Sequence, residues 1–226
     1  RISTSVPGAL KIYFRFFCAR RLGLAIERMF DYTGSMAFLS RAASLRPLLG
    51  AGRVPPGRYV ATGPRGMSAW FLRALLPALQ RGGRVLWLDA GNAFDVHGLA
   101  RAARAAGCDP KAVLSRVAIA RPFNAFQLET MISKTAPSCW RGEPVVVADP
   151  MRLFYGEDVP VERARRVLRA VVDGMDALPC VWLILSVDRD APAGRAGWLS
   201  ELSRGSRGCA ALRGELDAAR LEASRR

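Results

Sequence analysis

Lysine is nearly missing from this chain of 226 residues: Lys11, Lys111 and Lys134 stand among 34 basic residues, the rest being arginine, against 19 acidic ones. Histidine occurs once, at His97. Cysteine is sparse and unpatterned: Cys18, Cys108, Cys139, Cys180 and Cys209 form no C-x-x-C pair, which argues against a zinc site or a disulfide framework and for a reducing, cytoplasmic compartment. No apolar run reaches the roughly 18 to 20 uncharged residues of a membrane-spanning helix; the longest, residues 69–79, is broken by Arg73 and Pro77. The chain opens on Arg1, and Arg15, Arg20 and Arg21 interrupt its first apolar stretch, so no secretory signal is legible and a fragment or processed start is expected.

What is present is the composition of a folded protein. Half of the residues are hydrophobic, mean hydropathy is +0.10 and the mass is 24.6 kDa, enough for one packed domain with an appendage. The net charge of +15 is uneven: residues 1–57 carry +7, 58–141 carry +8, 142–187 carry −2 and 188–226 carry +2. Such a field favours a polyanionic partner, nucleic acid first. The arginine bias has two readings, phosphate recognition by forked guanidinium groups or a GC-rich genome.

Periodicity divides the chain into two parts. Residues 1–46 read as a basic helical appendage, with Leu10, Phe14, Phe17, Leu24 and Met29 spaced among arginines and a second run over 36–45. Residues 47–226 read as an α/β core entered through the Gly/Pro-rich stretch 48–57. Strands are expected at 58–62, 84–89, 117–120, 144–149 and 180–187, and helices at 67–80, 96–106, 126–134 and 161–178. Val145-Val146-Val147 and residues 181–185 are apolar on both faces, as parallel strands covered by helices must be. Residues 188–208 read as a mobile polar loop, followed by 209–213 and a charged C-terminal helix.

The order of motifs over 48–187 resembles the core of the RecA/RadA recombinase family. It comprises Leu48-Leu49-Gly50-Ala51-Gly52, the loop Gly63-Pro64-Arg65-Gly66 between strand and helix, and Val85-Leu86-Trp87-Leu88-Asp89-Ala90-Gly91-Asn92. Asp109-Pro110, Ala120-Arg121 and Phe123-Asn124 follow. The resemblance implies a RecA-like P-loop core with a mostly parallel sheet. It also locates what has changed. In the G-x-x-x-x-G-K-[ST] loop, backbone amides cradle phosphates, Lys meets the β and γ phosphates and Ser/Thr holds Mg²⁺. Aligned on Gly63, the second glycine is Ser68, the lysine Ala69 and the hydroxyl Trp70. The family's catalytic glutamate falls on Gly91, and its polar sensor is reduced to Ser186-Val187-Asp188. The Walker B acid remains as Asp149, and the strand-end acid as Asp89. Asp at a strand end also caps turns, so both acids have a structural reading. No catalytic residue and no metal site are assigned. ATP and Mg²⁺ are expected to bind weakly or not at all.

In that family two loops contact DNA. They correspond to 151–160, with Arg152 and Tyr155, and to 188–208, with Arg189, Arg195, Arg204 and Arg207. Guanidinium and aromatic groups on loops suit a single strand, although Glu157, Asp158, Asp188 and Asp190 dilute the charge. The resulting expectation is a non-hydrolysing DNA repair or recombination accessory, a pseudoenzyme binding DNA or a protein. Its protein partner would be another copy, a RecA-like protein or a polymerase, the first through a linker for which Phe38 and Ala42 are the candidates. Three alternatives stand beside it: an ATPase with an atypical loop, a protein scaffold, and an oxidoreductase reading of Gly63-x-x-Gly66-x-x-Ala69. His97, after Asp95, reads as a surface or capping residue, and Trp70, Phe71, Trp87 and Trp182 as core.

Overall fold

The computed structural model of the chain describes residues 11–15, 29–31, 54–156 and 159–213. Their strands, in chain order, are β1 (Lys11–Arg15), β2 (Met29–Asp31), β3 (Gly57–Gly63), β4 (Val85–Asp89), β5 (Val117–Ala120), β6 (Val145–Ala148), β7 (Val181–Val187) and β8 (Gly208–Arg213). All belong to one sheet ordered β2-β1-β8-β3-β7-β6-β4-β5. From β8 to β5 every pairing is parallel. β1 joins β8 antiparallel, and β2 joins β1 antiparallel.

Helices cover both faces of the parallel part. On one face lie α1 (Met67–Ala74), α2 (Leu76–Gln80), α3 (Val96–Ala105) and α4 (Pro110–Leu114). On the other lie α5 (Ala125–Thr130), a π-turn (Met131–Thr135), α6 (Ala136–Cys139), α7 (Met151–Phe154), α8 (Val161–Ala177) and α9 (Trp198–Ser203). Alternation along each strand feeds the two cores: Trp87, Val146, Leu183 and Leu185 pack on the first, while Leu88, Val145, Val147, Trp182 and Ile184 pack on the second. Two fully buried tryptophans, Trp87 and Trp182, lie one in each layer. The apolar stripe of α8, Ala164, Leu168, Val171 and Met175, is buried as its spacing predicts.

Tertiary context changed several elements. The helix expected over 67–80 is broken at Leu75, because Pro77 offers no amide and crowds the carbonyl four residues back. Helix 126–134 passes into the π-turn at Met131. The described parts of the expected helical appendage, residues 11–15 and 29–31, are strands: once β8 presents an unpaired edge, Lys11–Arg15 completes its hydrogen bonds. The rest of 1–46 and the C-terminal helix lie outside the described residues. The loop expected over 188–208 is a packed crossover, in which α9 buries Trp198 and Leu202 on the second core.

Arg58 is the anchor of that crossover. Its side chain is 4% exposed and donates from Nε and Nη2 to both carboxylate oxygens of Asp176, at 2.9 and 3.1 Å. It also donates to the carbonyls of Leu202 (2.6 Å) and Arg204 (2.7 Å), and its own carbonyl accepts from the Arg207 amide at 2.8 Å. These bonds carry the chain from α9 to the start of β8, beside β3.

Candidate functional site

The carboxyl ends of the parallel strands bring together the glycine loop after β3, Asp89 ending β4, Asp149 following β6 and Arg189 following β7. Asp149 adopts φ +55°, a left-handed conformation that Asp tolerates through local hydrogen bonding. Its Oδ1 accepts the Val187 amide at 3.3 Å, and its Oδ2 is held by the Arg189 guanidinium. The side chain of Asp149 is 6% exposed. The carboxylate to which the resemblance assigned a magnesium water shell therefore already has a cation on it. Asp89 is also consumed internally: Oδ1 accepts the Ala93 amide (2.8 Å), and Oδ2 accepts the Phe94 amide (3.2 Å) and Arg121 Nε (3.2 Å). It caps the turn that leads to α3.

Between the two acids lies Gly91, where the resemblance put a glutamate. Its amide donates to the Ala148 carbonyl at 2.9 Å, so β4 and β6 meet there closely. A Cβ on Gly91 would stand 2.8 Å from the Asp149 Cβ, closer than two carbons can approach. No side chain fits at that position, and Arg152 closes it by donating to the Gly91 carbonyl.

Three residues join β3 to α1. Gly66 takes φ +89°, which favours glycine, and the Met67 amide turns back onto the Pro64 carbonyl at 3.2 Å. Met67, Ser68 and Trp70 are buried, and Ala69 half-buried, inside the first turns of the helix. The Trp70 ring packs edge-on against Phe71, with centroids 5.0 Å apart. Arg65 is exposed at the loop tip, and Arg73 pairs with Asp95 at 3.6 Å. The loop offers neither an ammonium group nor a metal-binding hydroxyl, and the residues present do not fit Mg²⁺-ATP. Ser68 Oγ and Ser186 Oγ are buried with no hydrogen-bond partner among the described residues.

The residues named as DNA contacts do not gather on one surface. Arg152, Tyr155 and Arg189 lie at the carboxyl ends of the strands. Tyr155 is half-buried, and burial raises its phenol above the ordinary value while the Arg189 charge opposes the rise. Arg195 is 4% exposed: it donates to the carbonyls of Phe154 and Val159 and stacks over Trp198, 5.2 Å from the ring centroid. It fastens the crossover and presents no guanidinium to solvent. Arg204 and Arg207 lie at the opposite, amino end of the sheet, where the Arg207 side chain packs against Gly57. Glu157, Asp158, Phe38 and Ala42 lie outside the described residues.

Sequence reasoning missed the cations that neutralise the two acids. Arg121 appeared only as part of an Ala-Arg motif and Arg189 only as a DNA contact, and nothing in their spacing pairs residues 32 and 40 positions apart with Asp89 and Asp149. His97 is exposed in the first turn of α3, whose amino end is capped by Asp95 accepting the Gly98 amide at 2.7 Å. Burial pushes the Cys180 thiol up to about 12, so it stays protonated and inert at neutral pH. Among the described residues, no helix is long and apolar enough to cross a membrane. No protein-family model matches the chain, and no curated protein matches it.

Proposed function

We propose that this chain is a RecA-type core that does not hydrolyse nucleotide and serves as an accessory in DNA repair or recombination, binding DNA and a protein partner. The observation that carries the reading is the Arg189 guanidinium on the Asp149 carboxylate. A hydrolytic site of this class needs that carboxylate for its magnesium, a lysine and hydroxyl in the loop, and a group to orient water. Here an internal cation, Ala69, Trp70 and Gly91 occupy those four places. Three parts replaced and the fourth occupied by Arg189, with a parallel sheet of six strands retained, support a core kept for its shape and surfaces.

A protein partner, whether another copy, a RecA-like protein or a polymerase, is supported by the exposed apolar side chains at and beyond β5. Ile119 is 44% and Phe123 81% exposed. The unbridged thiols of Cys108, Cys139, Cys180 and Cys209 suit the reducing cytoplasm in which this reading places the chain.

Fluorescence anisotropy of labelled oligonucleotides across a salt series, with and without Mg²⁺-ATP, tests the proposal. The expected result is salt-sensitive binding that ignores ATP, together with no retention or turnover of nucleotide. An ATP-dependent gain in DNA affinity would overturn the pseudoenzyme reading. Absence of nucleic-acid binding at low salt would leave the protein scaffold.

A further inference from the structure

Among the described residues, a row of arginines lies at the amino ends of the parallel strands. Arg84 immediately precedes β4, Arg116 precedes β5, Arg141 stands four residues before β6, and Arg204 and Arg207 lead into β8. Arg104 ends α3 on the same side, since that helix runs back from the carboxyl end of β4 and α4 then delivers the chain to β5. Arg84, Arg104, Arg204 and Arg207 are exposed, and their side chains carry no ion pair among the described residues. The acids at this end are Asp109, Glu143, Asp173 and Asp176. Asp109 caps α4 through the Lys111 and Ala112 amides, Glu143 accepts the Arg141 amide, and Asp176 is bound by Arg58. Amides carry no charge, so Asp109 and Glu143 keep theirs and, with Asp173 exposed on α8, oppose the arginine row; of these four acids Asp176 is the one paired with a cation.

The row follows the sheet. From β8 to β4 there are four interstrand steps, and at roughly 4.8 Å each they span about 19 Å. At about 3.4 Å per base pair along a strand, that is the length of roughly six base pairs. Among the described residues the large apolar side chains that are exposed are Val96, Ile119 and Phe123, and none of them belongs to this end. With no exposed aromatic ring among the described residues of this end, it offers charge to phosphates and no ring platform for unpaired bases, which favours a duplex over a single strand.

We infer that the amino end of the parallel sheet, from Arg204 and Arg207 at β8 to Arg84 at β4, is a docking surface for the phosphate backbone of duplex nucleic acid; Arg116, before β5, donates instead to the carbonyls of Leu79 and Gln80. The inference rests on the nucleic-acid half of the function proposed above, and places the contact at the end of the sheet opposite the glycine loop. Arg58 is its positioning residue, because it fixes the carbonyls of Leu202 and Arg204 and so sets where Arg204 and Arg207 stand.

The test is anisotropy of a short labelled duplex of random sequence with the full chain and two variants, in a salt series. One variant is Arg84→Gln/Arg204→Gln/Arg207→Gln; the other is Arg65→Gln/Arg152→Gln at the carboxyl end. Thermal melting checks that each is folded, and Arg65→Gln alone replaces the second should it not be. The amino-end variant should bind at least tenfold more weakly at low salt, with a log–log salt slope shallower by about 2.7, from three lost contacts at about 0.9 each. The carboxyl-end variant should bind like the parent. An unchanged amino-end variant, or a loss confined to the carboxyl-end variant, overturns the inference and leaves the proposed function standing. So does a parent chain that binds only single strands. A parent chain that binds neither duplex nor single strand overturns the inference and the DNA-binding function together.

Discussion

At the carboxyl ends of the strands, Arg121 and Arg189 are seated on the buried carboxylates of Asp89 and Asp149; at the amino ends, Arg84, Arg204 and Arg207 stand in solvent without an ion-pair partner among the described residues. Open α/β sheets place ligands at the carboxyl ends, where loops leave a crevice. In this molecule that crevice is filled from within by guanidinium groups and by a β4–β6 contact with no room for a side chain. One residue type therefore does two jobs. Paired with an acid in a poorly solvated place, arginine fixes structure; left in water, it supplies a field that reaches about one Debye length, roughly 8 to 10 Å.

Substitutions can break this contrast, and the largest loss should come from the arginine that joins the two regimes. Arg58→Ala leaves the carbonyls of Leu202 and Arg204 and the carboxylate of Asp176 without their donor. Breaking a buried charge network costs about 3 to 5 kcal/mol, and the half-exposed Asp176 argues for the lower end. Urea unfolding measures it, and duplex binding should fall in the same variant. Next comes Asp149→Ala, which removes the acceptor of the Val187 amide and the partner of Arg189, for a loss of about 2 to 3 kcal/mol. Asp149→Asn, which tolerates the left-handed backbone and keeps an acceptor, should lose less. Equal losses in the two variants would show that the charge, and not the neutral acceptor, carries the stabilisation.

Gly91→Ala should cost about 1 to 3 kcal/mol, as overpacking does, because its Cβ would stand 2.8 Å from the Asp149 Cβ. A neutral outcome would mean that the two strand ends can part, and would reopen the site to a ligand. A smaller effect belongs to Glu201. Burial pushes its carboxyl up, but hydrogen bonds and charge from Arg169 and Arg165 outweigh this and hold it below the ordinary carboxylate value. Its contribution is then present above the unfolded value and is lost as pH falls through the lower folded one. Glu201→Gln should flatten that part of the acid limb in a melting series across pH. Smallest of all, Arg84→Gln should change stability by no more than about 0.5 kcal/mol, as surface substitutions do, while it weakens duplex binding.

The strands of the core were legible because their signals are local. The valine run at 145–147 and the apolar stretch 181–185 define buried strands wherever they fall, and the structure differs from the expected bounds by a residue or so. The stripe of α8 was equally plain. The edge strands β1 and β2 were not, since a segment such as Lys-Ile-Tyr-Phe-Arg becomes a strand only when β8 supplies hydrogen-bond partners nearly 200 residues away. The crossover over 188–208 was taken for a loop because its Gly, Arg and Ser content is that of a loop. What packs it down is Arg58, Arg195 and Trp198, polar anchors that hydropathy does not register. The site was legible as a set of vacancies: Ala69, Trp70 and Gly91 are visible in the sequence as the wrong residues for phosphate chemistry. That Asp149 is occupied by Arg189 was not visible.

By itself the sequence determined the α/β alternation, the two apolar cores and the identities of Ala69, Trp70 and Gly91 at the strand-end loops, because period, apolar runs and residue identity are properties of neighbours along the chain. The tertiary structure alone decided which arginines meet an acid and which meet water. Charges act through space at a few ångströms, and the separations of 32, 40 and 118 residues at which Asp89, Asp149 and Asp176 find their partners are set by strand order.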